Sequence, residues 1–453
     1  MDVAETARPP RRYSSDTVPG PTITCSSPWD VKVAKRGWCA VKLRYNYRLY
    51  PDAPQRESLA RTFGCVRAVW NDALARRKAA WKTNRSRIGG VELQKICITA
   101  AKRTPQREWL GEVSPVPLQQ SLRDLDVAYK NFFESVNGKR RGPRMGLPVF
   151  KSRHDHRQSA RFNTNAFKLR DHGTLYLAKI GEVEVRWSRE LPAAPSSVTI
   201  IKDAGGRYFA SFVIELDDDA HQLPQVDTDT GIDLGLTHYA VTSAGEKIAN
   251  PRWLRRRERK LKKLQRALSR KQKGSANRTK ARIKLARQHG RVADARRDFL
   301  HQTSTTIIRE NQAVAVEGLA VRGLARGMLA KSVNDASWGA FLRLLEGKAA
   351  RYGRAFIRID RWYPSSRLCP CCGWQVGKLP LDVREWDCPS CGEHHDHDIA
   401  AALNILAEGI RLRSPNDVAA GLADTRNDCE GQVRPGTAIP TLAPPETSTA
   451  QAA

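Results

Sequence analysis

Acid is what this sequence has little of. Its 47 Asp and Glu stand against 77 Lys and Arg, leaving a formal charge of +30 and a pI near 10.1. Such a deficit excludes a cationic partner and exceeds ordinary solubility charge. It points to a polyanion, nucleic acid ahead of a membrane surface. Long apolar runs are also missing. None reaches the roughly 18 residues of a membrane helix, and the opening MDVAETARPPRRYSSD has no apolar signal core. The expectation is a soluble, intracellular protein. Evenly spread cysteines are lacking too. Cys25, Cys39, Cys65, Cys97 and Cys429 stand singly, and the other five crowd into residues 369–391. In an intracellular chain that crowding indicates metal binding, not a disulfide framework. What is present, 453 residues with 40% hydrophobic content, suffices for about two to four domains.

Residues 1–36, rich in Pro, Ser, Thr and Arg, read as a disordered tail, and so do residues 426–453. CAVKLRYNYRLY alternates like a strand. Then Leu59, Phe63, Val66, Trp70, Ala73 and Leu74 take up a helical period. Further helical stretches lie near 91–103 and 116–136, and NGKRRGPRMGLPVFKSR ends them. From about 160 to 216 the text is strand-like, with a hairpin around Asp203–Gly206. One β module interrupted by a helical insertion explains this order. Arg255 to Arg297 holds 19 Lys and Arg against Glu258 and Asp294, with Leu254, Leu261, Leu264 and Leu268 at helical spacing. It reads as a basic helical hairpin broken near Lys273–Ser275, its charge facing phosphate.

Cys369 and Cys372 enclose two residues, Cys388 and Cys391 likewise, and 15 residues separate the pairs. Each turn ends in glycine, CPCCG and CPSCG. Two such turns give four thiolates to one tetrahedral ion, zinc before iron, in a closed structural site. Cys371 is the spare and is expected to face outward. His394, His395 and His397 read as surface or nucleic-acid-facing residues.

Three acids sit at the ends of elements. In GIDLGL, Ile232, Leu234 and Leu236 share one strand face, and Asp233 and Gly235 the other. Glu317 ends the apolar strand AVAVE, and Asp398 begins DIAAALNILAEGI. An acid in an apolar strand is costly unless paired or holding a cation, whereas Asp398 alone would pass as a helix starter. Together they suggest oxygen ligands for two Mg2+ ions that cut phosphodiesters.

The order GIDLGL, basic hairpin, AVEGL, YPSSRLCPCCG, CPSCG, DHDIAAALNI resembles the TnpB (OrfB) family, the transposon-encoded RNA-guided nucleases ancestral to type V CRISPR effectors. The resemblance spans roughly residues 38 to 410, with GLPVFKSR the best marker of its first half. It implies an α/β multidomain fold in which a β-barrel wedge domain, 37–50 and 146–225, carries a helical recognition domain, 51–145. An RNase H-like (RuvC) nuclease domain, 226–363 and 396–425, is interrupted by a zinc ribbon, 364–395. By motif position the catalytic acids are Asp233, Glu317 and Asp398, with Asp396 the lesser alternative. The family's usual Arg between the last two acids is His397 here, and its usual Asn is Ala400.

The resemblance implies a Mg2+-dependent endonuclease in the prokaryotic cytoplasm, associated with the nucleoid during action. It would cut double-stranded DNA beside a short motif under direction of a guide RNA. A compact type V CRISPR effector and a nuclease-dead RNA-guided regulator are the alternatives. Arg67, Arg76, Arg77, Lys151, Arg161, Arg255, Arg256 and Lys262 are the expected nucleic-acid contacts.

Overall fold

The computed structural model describes residues 41–413, apart from 85, 141–142, 217–221 and 378–382. Both tails expected from the composition lie outside the described residues. The first strand, β1 (Val41–Tyr50), is followed by three helices, α1 (Ala53–Asn84), α2 (Gly90–Gln94) and α3 (Pro115–Val136). A π turn and a short 3-10 turn carry α2 on to Arg103. Six strands follow: β2 (Gln158–Asn163), β3 (Phe167–Leu169), β4 (Thr174–Leu177), β5 (Gly181–Arg186), β6 (Ser197–Lys202) and β7 (Tyr208–Leu216). With β1 they form one antiparallel sheet in the order β2-β6-β7-β1-β5-β4-β3.

This sheet curls strongly. Phe167 on β3 and Phe212 on β7 are four strands apart, roughly 19 Å in a flat sheet, yet their ring centroids are 6.4 Å apart. Trp187 and Tyr47 fill the same concavity, with Trp187 4.7 Å from Tyr47 and 5.7 Å from Phe212. The apolar faces of α1 and α3 extend that core through Leu59, Leu74, Leu118 and Leu125. The strap after α3 is tied down as well. Trp70 donates to Val149 O at 3.0 Å, and Asn71 exchanges two hydrogen bonds with Lys151.

A second sheet contains β8 (Asp229–Asp233), β9 (His238–Thr242), β10 (Lys247–Ala249), β11 (Ala313–Glu317) and β12 (Ala355–Ile359), in the order β10-β9-β8-β11-β12. β8, β11 and β12 run parallel, and β9 and β10 are antiparallel. Between β10 and β11 lies the basic hairpin, α4 (Trp253–Ser269) and α5 (Ala276–Glu310). Gly274, at φ +87°, makes the turn between them. Leu261, Leu285 and Val292 close the hairpin's own small core. After β11 come α6 (Val321–Leu324), α7 (Ala330–Ala336) and α8 (Trp338–Tyr352). After β12, a small ribbon of β13 (Glu385–Asp387) and β14 (His394–Asp396) leads into α9 (His397–Arg413).

Strand alternation sorts the second sheet's faces. Ile232, Val314 and Val316 face α5 and α8 in one apolar cluster. Gly231, Ala315 and Ile357 face α9 on the other side. The approach of α9 is unusually close. A Cβ on Gly231 would stand 2.1 Å from Ala402 O, and one on Gly409 would stand 2.4 Å from Ala315 Cβ. Among the described residues no helix is long and apolar enough to cross a membrane.

This contact generates a prediction. Gly231→Ala forces α9 off the sheet and costs about 3 kcal/mol, the upper range for overpacking. Urea unfolding measures it, and a variant as stable as wild type would show that the helix can shift freely.

Candidate active site

Asp233 and Glu317 are the last residues of β8 and β11, neighbouring parallel strands in register at Ile232 and Val316. Alternation puts both side chains on the α9 face, opposite Ile232 and Val316. Asp398 lies in the first turn of α9. The three acids therefore gather at the carboxyl ends of parallel strands, where open α/β sheets bind ligands. A pocket of about 330 Å³ opens there, lined by Asp233, Glu317, Arg361, Trp362, Arg367 and His397 among others.

The acids are not electrostatically equivalent. Burial, then the nearby Asp398 and Glu317, push the Asp233 carboxyl up to about 7. Burial also raises Glu317. Asp398 is held below the ordinary carboxylate range by a hydrogen bond from His397, with Arg384 and His238 adding to it. His397 Nδ1 and an Arg384 Nη1 each lie 3.4 Å from Asp398 Oδ1. His238 Nδ1, at 3.7 Å from Oδ2, is beyond direct hydrogen-bond reach. Two shielded, mutually repelling carboxyls beside an ionised third make a donor set that a divalent cation would relieve.

The helix-starting role that the sequence allows for Asp398 belongs to Asp396. Its Oδ1 accepts from the amides of Asp398 at 3.1 Å and Ile399 at 3.0 Å, capping α9, while its Oδ2 takes Lys247 Nζ at 2.5 Å. Asp398 is thereby relieved of capping, and it stands near enough to Asp233 to help push that carboxyl up.

The sulfurs of Cys369, Cys372, Cys388 and Cys391 all lie within 4.8 Å of one another. Thiolates about 2.3 Å from a tetrahedral ion stand roughly 3.8 Å apart. Here Cys369–Cys391 and Cys372–Cys388 are each 3.6 Å apart, so the set fits such an ion. Cys371 is exposed. The expectation of surface or nucleic-acid-facing histidines needs correction at His395. His394 is exposed beside Asp387, but His395 is buried on Trp386 with Nε2 3.1 Å from Cys369 Sγ, and His397 lines the acid pocket.

Two residues the motifs did not single out join knuckle and pocket. Arg384 reaches Asp398 from the ribbon, and its carbonyl accepts the His397 amide at 2.8 Å. Asn404, buried in α9, donates to Ser365 O and Leu368 O at 2.8 Å each, holding the short 3-10 turn that enters the first cysteine turn. A polar residue inside the apolar run AALNIL is the signal that could have marked it.

The whole-chain comparisons bear on this geometry. The family model OrfB_IS605, "Probable transposase", matches residues 211–328. A Cas12f1-like TNB domain matches 338–405, and a helix-turn-helix domain of the same OrfB group matches 41–86. The "Putative RNA-guided DNA endonuclease" of Streptomyces pristinaespiralis is 47% identical over 83% of this chain and 92% of its own length. The chain belongs to the TnpB (OrfB) family. "Putative RNA-guided DNA endonuclease InsQ" of Escherichia coli is 28% identical, over 81% of this chain and 92% of that one. A solved Cas12f1–sgRNA–target DNA complex aligns with 81% of this chain and 98% of its own, at 13% identity and a TM-score of 0.46. In this TnpB-family chain the helix-turn-helix match falls on a strand and one 32-residue helix, β1 and α1.

The expected nucleic-acid contacts divide. Arg255, Arg256 and Lys262 are exposed on α4, Lys262 with Glu258 at 2.9 Å. Arg76 is exposed on α1, and Arg67 is half-buried beside Trp109 and Glu112. Three others lie against partners of their own chain. Arg77 is buried against Asp126 and the Tyr129 ring, and Arg161 pairs with Asp124. Lys151 lies 3.9 Å from the Trp70 ring centroid. Each of the three thus has a partner within the fold.

The division of labour at the helix start is testable. Asp396→Ala should cost about 1 kcal/mol of stability through loss of the cap. Asp398→Ala should stay within about 0.5 kcal/mol of wild type, since it also relieves like-charge repulsion. Urea unfolding of both variants decides it, and the reverse ranking would return the cap to Asp398.

Proposed function

We propose that Asp233, Glu317 and Asp398 form the cutting centre of an RNA-guided DNA endonuclease of the TnpB type, hydrolysing double-stranded DNA beside a short adjacent motif. The observation that carries this reading is the meeting of three acids, distant in sequence, at one site, with Asp233 and Glu317 lining its pocket and Asp398 close enough to act on Asp233, in a chain with charge +30. In this reading the five-stranded sheet and its helices are an RNase H-like (RuvC) domain, 226–363 and 396–425. The cysteine knuckle is a zinc ribbon, 364–395, inserted into it. The curled sheet is the wedge β-barrel, 37–50 and 146–225, and 51–145 is the helical recognition insertion.

Asp233, Glu317 and Asp398 would hold Mg2+, and the four cysteines one structural zinc. Two magnesium ions, when bound, supply activation of water and charge stabilisation at the leaving oxygen. The chain's own residues prepare the place. Asp398, held ionised by its neighbours, offers an anion beside the pocket, and Asp233 and Glu317 complete the donor set as they ionise. His397 and Arg384 fix the Asp398 carboxylate. Guide RNA selects the sequence by pairing with the target strand, and exposed cations such as Arg255, Arg256 and Lys262 contribute phosphate contacts. The site of action is the prokaryotic nucleoid.

Purified protein with its copurifying RNA should cut a matching plasmid only with Mg2+ or Mn2+. Asp233→Ala, Glu317→Ala and Asp398→Ala should each lower cutting by at least about 100-fold while guided binding persists, because affinity rests on phosphate contacts and pairing. Exchanging only the guide segment should move the cut to a second plasmid. Cutting of both plasmids whatever the guide would leave a metal-dependent nuclease without RNA guidance.

The knuckle makes a separate prediction. Elemental analysis should find one zinc per chain, and Cys369→Ser with Cys372→Ser should lose it and destabilise the half that contains α9. Retention of zinc by the double variant would show that other residues bind it.

A further inference from the structure

The acid pocket has an aromatic rim that metal binding does not explain. Trp362 is 76% exposed, yet the turn that carries it is pinned. Its amide donates to Asp360 Oδ1 at 2.6 Å, closing a turn directly after β12, and the Tyr363 amide donates to Asp360 O at 3.3 Å. Gly318 presses that turn against the end of β11. A Cβ there would come within 2.7 Å of Ile359 O and 3.3 Å of Arg361 N. The turn is thus seated on the strand end that carries Glu317. The Arg361 guanidinium carbon lies 4.5 Å from the Trp362 ring centroid, and the indole otherwise stands open to solvent. Trp362, Arg361 and Arg367 line the same pocket as Asp233 and Glu317.

We infer that Trp362, backed by Arg361, is a stacking subsite for an unpaired nucleobase of the DNA strand being cut. The inference rests on the nuclease reading and adds how that strand is held. An indole left in water forgoes the burial a core position gives it. Carried on a hydrogen-bonded turn beside an acidic pocket and backed by a cation, it offers the flat π surface on which bases stack. Stacking tolerates any base, which suits an enzyme whose sequence choice resides in a guide. A base inside a duplex has both faces covered, so the occupant is single-stranded at this point. Arg361 and Arg367 supply positive charge beside it for the flanking phosphates.

The test begins with wild-type protein and its copurifying RNA, which map the cut position in a matching duplex. A fluorescent adenine analogue is then placed at the nucleotides flanking that position, and the duplex is bound to the Asp233→Asn complex. Fluorescence at one position should be quenched. Adding Trp362→Ala or Trp362→Leu should restore it, and Trp362→Phe should keep it quenched. With Asp233 intact, Trp362→Ala should raise KM about tenfold, within the range of one lost base stack, at unchanged melting temperature. Equal quenching and equal KM in Trp362→Ala overturn the subsite. So does a Trp362→Leu variant that behaves as wild type, because apolar bulk would then be enough. A wild-type complex that cuts no DNA overturns the nuclease reading and the subsite together. Normal cutting by wild type and Trp362→Ala alike removes the subsite alone.

Discussion

The contact between α9 and the second sheet, backbone nearly against backbone, is the constraint on which the rest of the site depends. Gly231 and Ala315 leave the sheet face without bulk, and Ala402 and Gly409 do the same for the helix. Only such small residues let a helix approach a sheet so closely. The approach brings the first turn of α9 level with the ends of β8 and β11, and so brings Asp398 to Asp233 and Glu317. Larger residues along this seam would lift the helix and separate the acids without touching any of them.

The ribbon extends that constraint. Asn404 ties α9 to the segment entering the first cysteine turn, and His395 lies between Cys369 and the helix start. Asp396 then caps the helix, and Arg384 leans from the ribbon onto Asp398. An ion gathered by the four thiolates would therefore stiffen a continuous path from knuckle to acid. This gives a physical reason for a metal knuckle directly before a carboxylate at a helix start. The charge distribution fits the same plan, with three carboxylates brought near one another at the strand ends and exposed cations on α4.

Much of the fold was legible because its signals are local. Period-2 alternation marks β1 and β8, the leucine stripe marks α4, and Gly274 marks the turn to α5. The stripe of Trp338, Phe341, Leu342, Leu345 and Ala349 in α8 is as regular, although no neighbouring motif draws attention to it. No local pattern showed the curl of the first sheet, which only the family resemblance suggested, since it depends on Phe167 meeting Phe212 across four strands. Nor were the fates of Arg77, Arg161 and Lys151 legible. A basic side chain reads the same on paper whether it meets solvent or, like Arg77, a carboxylate 49 residues away.

By itself the sequence determined the chemistry on offer: four thiolates at tetrahedral spacing, acids at element ends, an excess of cations and the family to which they belong. Those are properties of residue type and short spacing, and folding does not alter them. Tertiary structure alone showed that Asp396 caps α9, and which histidine is buried at the knuckle. It also decided which cations remain outside, and that an indole stands beside the acids. Each of these depends on groups brought together from distant parts of the chain, and no local pattern encodes that approach.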